Sequence, residues 1–177
     1  FTTPGVAEHI GGVILFDETI RQSTTGGVAF PDYLNDLGML AGIKVDMGAK
    51  DLAGFPVEKV TEGLDGLRER LSEYRDLGAK FAKWRAVINI GEDMPSAYCL
   101  SANAHALARY AALCQEAGIV PIVSAAILAM TVFGPCPIST AEAMTLTLPS
   151  SLSLMNALEV VGVAVLLMML AMPLPAL

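Results

Sequence analysis

Two short apolar runs carry cations at a spacing of two, Lys44 with Asp46 in Gly42-Ile43-Lys44-Val45-Asp46, and Lys83 with Arg85 in Phe81-Ala82-Lys83-Trp84-Arg85-Ala86-Val87-Ile88. Their β-branched and aromatic residues, with Gly78 before and Gly91 after the second run, predict interior strands. Strand side chains alternate, which puts Lys44 and Asp46 on one face and Ile43 and Val45 on the other. By the same rule Lys83 and Arg85 share a face with Phe81 and Val87, opposite Ala82, Trp84 and Ala86. An unpaired buried ammonium is costly, so something anionic is expected opposite these groups. Either lysine could instead reach water along its stem from a strand end; the repetition favours one shared cationic pocket. Such a pocket has two chemistries open to it. Cations beside a lysine lower its pKa, so that the neutral amine can attack a carbonyl and form an iminium. Ammonium and guanidinium groups together also clamp phosphate.

The elements that must position these groups follow from patterning. Gly12-Val13-Ile14-Leu15-Phe16 predicts a strand, with a turn or short helix after Asp17-Glu18. Pro31 at a first helical position and Gly38 at a stop predict a short helix before the Lys44 strand. Residues 47–57, with Gly48, Gly54 and Pro56, predict a loop. Leu64, Leu67, Leu71, Tyr74 and Leu77 predict an amphipathic helix from Thr61 to Leu77, stopped by Gly78. Asp93 to Ser96 opens another helix to about Ala117, with the stripe Leu100, Ala104, Leu107, Ala111 and Cys114, and residues 119–123 form the next strand. Strands alternating with helix-length spacers require parallel pairing through crossovers.

Composition removes several function classes. A net charge of −7 leaves no basic stripe for nucleic acid. Cys99, Cys114 and Cys136 form no CxxC pair, and His9 and His105 lack metal-ligand spacing, so neither a disulfide framework nor a metal site is expected. The opening Phe1-Thr2-Thr3-Pro4-Gly5 does not read as a signal peptide. Of the 11 Lys and Arg and 18 Asp and Glu residues, only Glu142 and Glu159 lie beyond residue 123. Residues 157–172 are almost wholly Leu, Val, Met and Ala. A membrane helix, a buried barrel helix with its strand, and residue identities that do not represent the natural chain are three readings of this tail. The third is preferred, because even outward helix faces lack charge, and no membrane partner is expected.

Taken together, residues 42–46, Glu62-Gly63-Leu64-Asp65-Gly66-Leu67, 81–85, Leu107-Ala108-Arg109-Tyr110-Ala111 and Gly118-Ile119-Val120-Pro121-Ile122-Val123 resemble consecutive motifs of class I fructose-1,6-bisphosphate aldolase. The resemblance takes in residues 12–19 and the opening five, and covers about residues 1–123 in order. It implies an α/β fold, a (β/α)8 TIM barrel with its active site at the carboxyl ends of the strands. Residues 1–177 would form one partial barrel domain lacking its first and last strands. It further implies a lyase that splits fructose 1,6-bisphosphate through a lysine Schiff base, in glycolysis, gluconeogenesis or the Calvin cycle, without cofactor or metal. Its partner would be a phosphorylated sugar, its state a homo-oligomer, and its place the cytoplasm or plastid stroma. By motif, Lys83 matches a lysine that assists proton transfer, Lys44 one of the active-site cation cluster, and Arg85 an arginine near bound phosphate. Asp46 is read either as the counter-ion of Lys44 or as a strand-end carboxylate on backbone amides.

Departures from the pattern are as specific. Where the family has Glu-Pro-Glu this chain has Ser124-Ala125-Ala126, and neither Ser124 nor Ala126 transfers a proton at neutral pH. The place of the Schiff-base lysine falls at Met168, or at Leu166 by ungapped counting. A non-catalytic, aldolase-like protein that binds sugar phosphates or acts as a scaffold is the alternative.

Overall fold

In the computed structural model, which describes residues 5–129, the apolar runs between glycines become strands and the amphipathic spacers become helices. The order is β1 (Gly12–Leu15), α1 (Asp17–Ile20), α2 (Phe30–Asp36), β2 (Leu40–Lys44), β3 (Ala49–Asp51), β4 (Lys59–Thr61), α3 (Leu67–Asp76), β5 (Phe81–Ile90), α4 (Ala97–Glu116) and β6 (Val120–Ala129). β1, β2, β5 and β6 lie side by side in that order, and every pair is parallel. The alternation read from sequence is therefore realised as one continuous parallel sheet.

One face of that sheet is dry. Val13, Leu15, Ala41, Ile43, Val45, Ala82, Trp84 and Ala86 pack with Leu67, Leu71 and Tyr74 of α3 and with Leu107, Tyr110, Ala111 and Cys114 of α4. Trp84 is fully buried, its ring centroid 5.3 Å from that of Tyr110. Each large aliphatic side chain buried there contributes about 1.5–3 kcal/mol. Tyr110 also stitches the sheet: its hydroxyl donates to Ala82 O at 2.7 Å and accepts from Ile122 N–H at 3.1 Å. Burial pushes its phenol well above the ordinary tyrosine range. On the opposite face the Phe81 ring fills the space above Gly42, where a Cβ would stand 2.2 Å from the ring, so glycine is required there.

Four expectations need correction. Residues 47–57 are not all loop, because β3 pairs antiparallel with β4 through Ala49 with Thr61 and Asp51 with Lys59. For the same reason the helix expected from Thr61 starts only at Leu67; Gly63 intervenes at φ 132°, where a Cβ would meet Met47 N at 2.9 Å. Neither β5 nor β6 stops where the sequence suggested. They pair along their whole length from Phe81–Val120 to Ile90–Ala129, which leaves Arg85 at the middle of β5. Finally, the buried stripe of α4 is Cys99, Asn103, Ala106, Leu107, Tyr110, Ala111 and Cys114, with Leu100 and Ala104 at its margin. Among the described residues no helix is long and apolar enough to cross a membrane.

Candidate active site

β2 ends on Lys44, which is the register partner of Lys83 in β5. Partners across a parallel ladder point to the same face, so both lysines rise from the side away from the helices. Arg85 follows two residues on along β5 and shares that face. The grouping expected from the two sequence pairs is thus present at the carboxyl end of the β2–β5 ladder.

Asp46 holds the group together. Its side chain is only 2% exposed, so every carboxylate oxygen needs a partner. Oδ1 lies 2.8 Å from Lys44 Nζ and accepts the Gly48 N–H at 3.2 Å; Oδ2 accepts the Arg85 N–H at 3.3 Å. Lys44 Nζ also donates to Asp46 O at 2.7 Å and lies 5.8 Å from the centroid of the Phe16 ring. The two readings left open for Asp46 therefore both apply, counter-ion and backbone acceptor at once. Its own segment is pinned from α3 and the preceding loop. Arg70 donates to Val45 O at 3.1 Å and to Gly63 O at 2.5 Å, while Met47 N–H donates to Glu62 O at 2.8 Å.

Partial burial, more than any other influence, pulls the pKa of Lys83 below the ordinary lysine range; Arg85 and Lys44 push the same way and Asp46 opposes them. Among the described residues neither Lys83 nor Arg85 forms a salt bridge. Among the described residues, two cations beside one already paired lysine leave the face with an excess of positive charge.

Ser124 is the register partner of Arg85 and Ala126 that of Val87, which brings both backbone positions to the cationic face. Nothing at Ser124 supplies a carboxylate. Met168 lies outside the described residues. His9 and His105 are exposed, Cys99 and Cys114 are buried free thiols, and the described residues contain no cluster of metal-ligating side chains. Sequence reasoning missed Thr61, whose hydroxyl donates to Arg85 O at 2.7 Å, and Asn103, which accepts the Thr61 N–H. It also missed Glu58, buried at 2% exposure, which accepts from Ser96 N–H and from the Ser96 hydroxyl at 2.6 Å and so fastens the start of α4. No periodicity marks these residues; most of their partners are distant in sequence.

A parallel sheet with helices on one face and paired lysines at the carboxyl end of a strand ladder on the other is the arrangement of an α/β-barrel protein with a cationic strand-end site. The model of the fructose-bisphosphate aldolase class-I family matches residues 1–161, and the chain belongs to that family. The match continues past residue 123, where the charged composition ends. A probable fructose-bisphosphate aldolase class 1 of Xylella fastidiosa is 69% identical over 122 residues, covering 69% of this chain and 36% of that protein. The cytoplasmic isozyme of Cicer arietinum is 55% identical over 129 residues, 72% of this chain and 36% of its own. A solved structure of the Plasmodium falciparum aldolase, in complex with TRAP and a small-molecule inhibitor, superposes with a TM-score of 0.68 at 43% identity over 71% of this chain and 37% of that one. The chain thus spans about a third of the length of the curated relatives it matches. The fold is that of the family's TIM barrel, of which the described residues supply four adjacent parallel strands.

Proposed function

We propose that the intact protein is a Schiff-base aldolase that cleaves fructose 1,6-bisphosphate into dihydroxyacetone phosphate and glyceraldehyde 3-phosphate. The observation that carries this reading is the convergence of Lys44, Lys83 and Arg85 on one face around the carboxylate of Asp46. A local excess of cations is what a chain of net charge −7 needs to gather a bisphosphate against the sign of its surface. The lowered pKa of Lys83 suits it to exchange a proton with the substrate hydroxyl. Arg85 is suited to hold phosphate through its planar fork, and Lys44, paired with Asp46, to steady the anion beside it. A lysine in the place of Met168 would add to the ketone carbonyl with loss of water, and the iminium would take the electron pair of the breaking C–C bond. The names of the relatives support the substrate, those of the plant cytosolic isozymes support a cytoplasmic location, and homo-oligomeric assembly follows the family tendency.

Ser124 favours a second reading. It stands across from Arg85 where acid–base chemistry calls for a carboxylate, and with Ala126 and Met168 it describes a protein that binds sugar phosphates without turning them over. Borohydride added to the intact protein with fructose 1,6-bisphosphate separates the two. The aldolase reading expects a reduced covalent adduct whose peptide maps to a lysine at or beside position 168. Binding of the bisphosphate with no adduct gives the second reading, and no binding at all refutes both.

A further inference from the structure

Arg85 can serve a phosphate only if its guanidinium is aimed, and the neighbouring strand does not do this. The β2–β5 ladder stops at Lys44 with Lys83, followed by one last bond from Val45 N–H to Lys83 O at 3.2 Å. Arg85 presents its peptide groups to that same edge, beyond the end of β2. Two side chains replace the missing strand. Asp46 Oδ2 accepts the Arg85 N–H at 3.3 Å, and Thr61 Oγ1 donates to the Arg85 C=O at 2.7 Å. Thr61 is 3% exposed and belongs to the β3–β4 hairpin, outside the main sheet. Behind it, Asn103 of α4 accepts the Thr61 N–H at 3.4 Å and donates to Lys59 O at 2.9 Å and Cys99 O at 3.0 Å.

We infer that Thr61 is a positioning residue for Arg85: its hydroxyl, braced by Asn103, fixes the Arg85 peptide where β2 no longer can, and so sets the direction of the phosphate-binding guanidinium. The inference rests on the sugar-phosphate reading of the site. It assigns to the hairpin and α4 a share in ligand affinity.

Thr61→Val keeps size and β-branching and removes only the hydroxyl. On the intact protein, calorimetric titration with fructose 1,6-bisphosphate is expected to show about fivefold to tenfold weaker binding, the worth of one hydrogen bond. Thr61→Ser is expected to restore it. In an Arg85→Met background Thr61→Val should change affinity no further, whereas a general loosening of the fold would weaken binding equally in both backgrounds. Wild-type affinity in Thr61→Val, or the same loss with and without Arg85, overturns the inference. Amide exchange at Arg85 gives a ligand-free reading, since freeing the Arg85 carbonyl from Thr61 should loosen the residue and weaken the bond from its N–H to Asp46 Oδ2. If the wild type binds no bisphosphate the parent reading falls, and unchanged exchange in Thr61→Val would then sink this one as well. Thr61→Ala supplies the same readouts should the valine variant not fold.

Discussion

The two faces of the β2–β5 pair are built from alternate residues of the same strands and do opposite work. Ile43, Val45, Ala82, Trp84 and Ala86 are buried against α3 and α4. Lys44, Lys83 and Arg85, one residue away in each case, rise from the other side, where Ile14, Leu40, Val120 and Ile122 stand exposed among the described residues. A period of two suffices to separate stability from chemistry over the first half of β5: substitutions of odd and even positions from Phe81 to Ala86 should fall into two classes with little overlap.

The strongest way to break that division is at Lys83. On the aldolase reading, Lys83→Met in the intact protein is expected to lower turnover by about 10²–10⁴-fold, the usual worth of a proton-transfer group, while circular dichroism and the unfolding midpoint stay where they were. Unchanged turnover would remove the role assigned to it. Its neighbour should behave in the opposite way. Trp84→Ala is expected to destabilise by about 3–5 kcal/mol in urea unfolding, with the bisphosphate affinity of the folded molecules unaltered. Trp84→Phe sharpens the point with a smaller loss, because the indole Nε1 has no hydrogen-bond partner among the described residues and only packing is given up. An alanine variant that stayed stable yet lost the ligand would place Trp84 on the wrong side of the account.

Much of this was legible in the sequence because it depended on alternation alone. The parallel strands, the gathering of Lys44 and Lys83 into one pocket and the placing of Trp84 on the opposite face all follow from residue spacing and helix-length connections. The β3–β4 hairpin was not legible. Ala49-Lys50-Asp51 has little β-propensity and Lys59-Val60-Thr61, though two of its residues are β-branched, is only three residues long; they are held by each other, by the Lys59–Asp51 ion pair and by Asn103. The buried face of α4 was misplaced by the same blindness to distant partners. Asn103 and Tyr110 look like polar surface residues until the carbonyls of Lys59, Cys99 and Ala82 come within reach. At the site itself, sequence brought the cations together but not the means of aiming them. That Asp46 serves Lys44 and Arg85 at once requires β2 to end just where β5 continues, a fact of register that neither segment carries by itself.

The central claim is that the amines of residues 44 and 83 and the guanidinium of residue 85 share one anion site on the face away from the helices. Titrating fructose 1,6-bisphosphate into isotopically labelled protein, with the Nζ resonances of both lysines and the indole Nε1–H of the single tryptophan observed together, tests it most directly. Both lysine signals should move along one binding curve while the Trp84 signal stays fixed. Lysines that respond with different affinities, or a tryptophan that shifts while they do not, would contradict it.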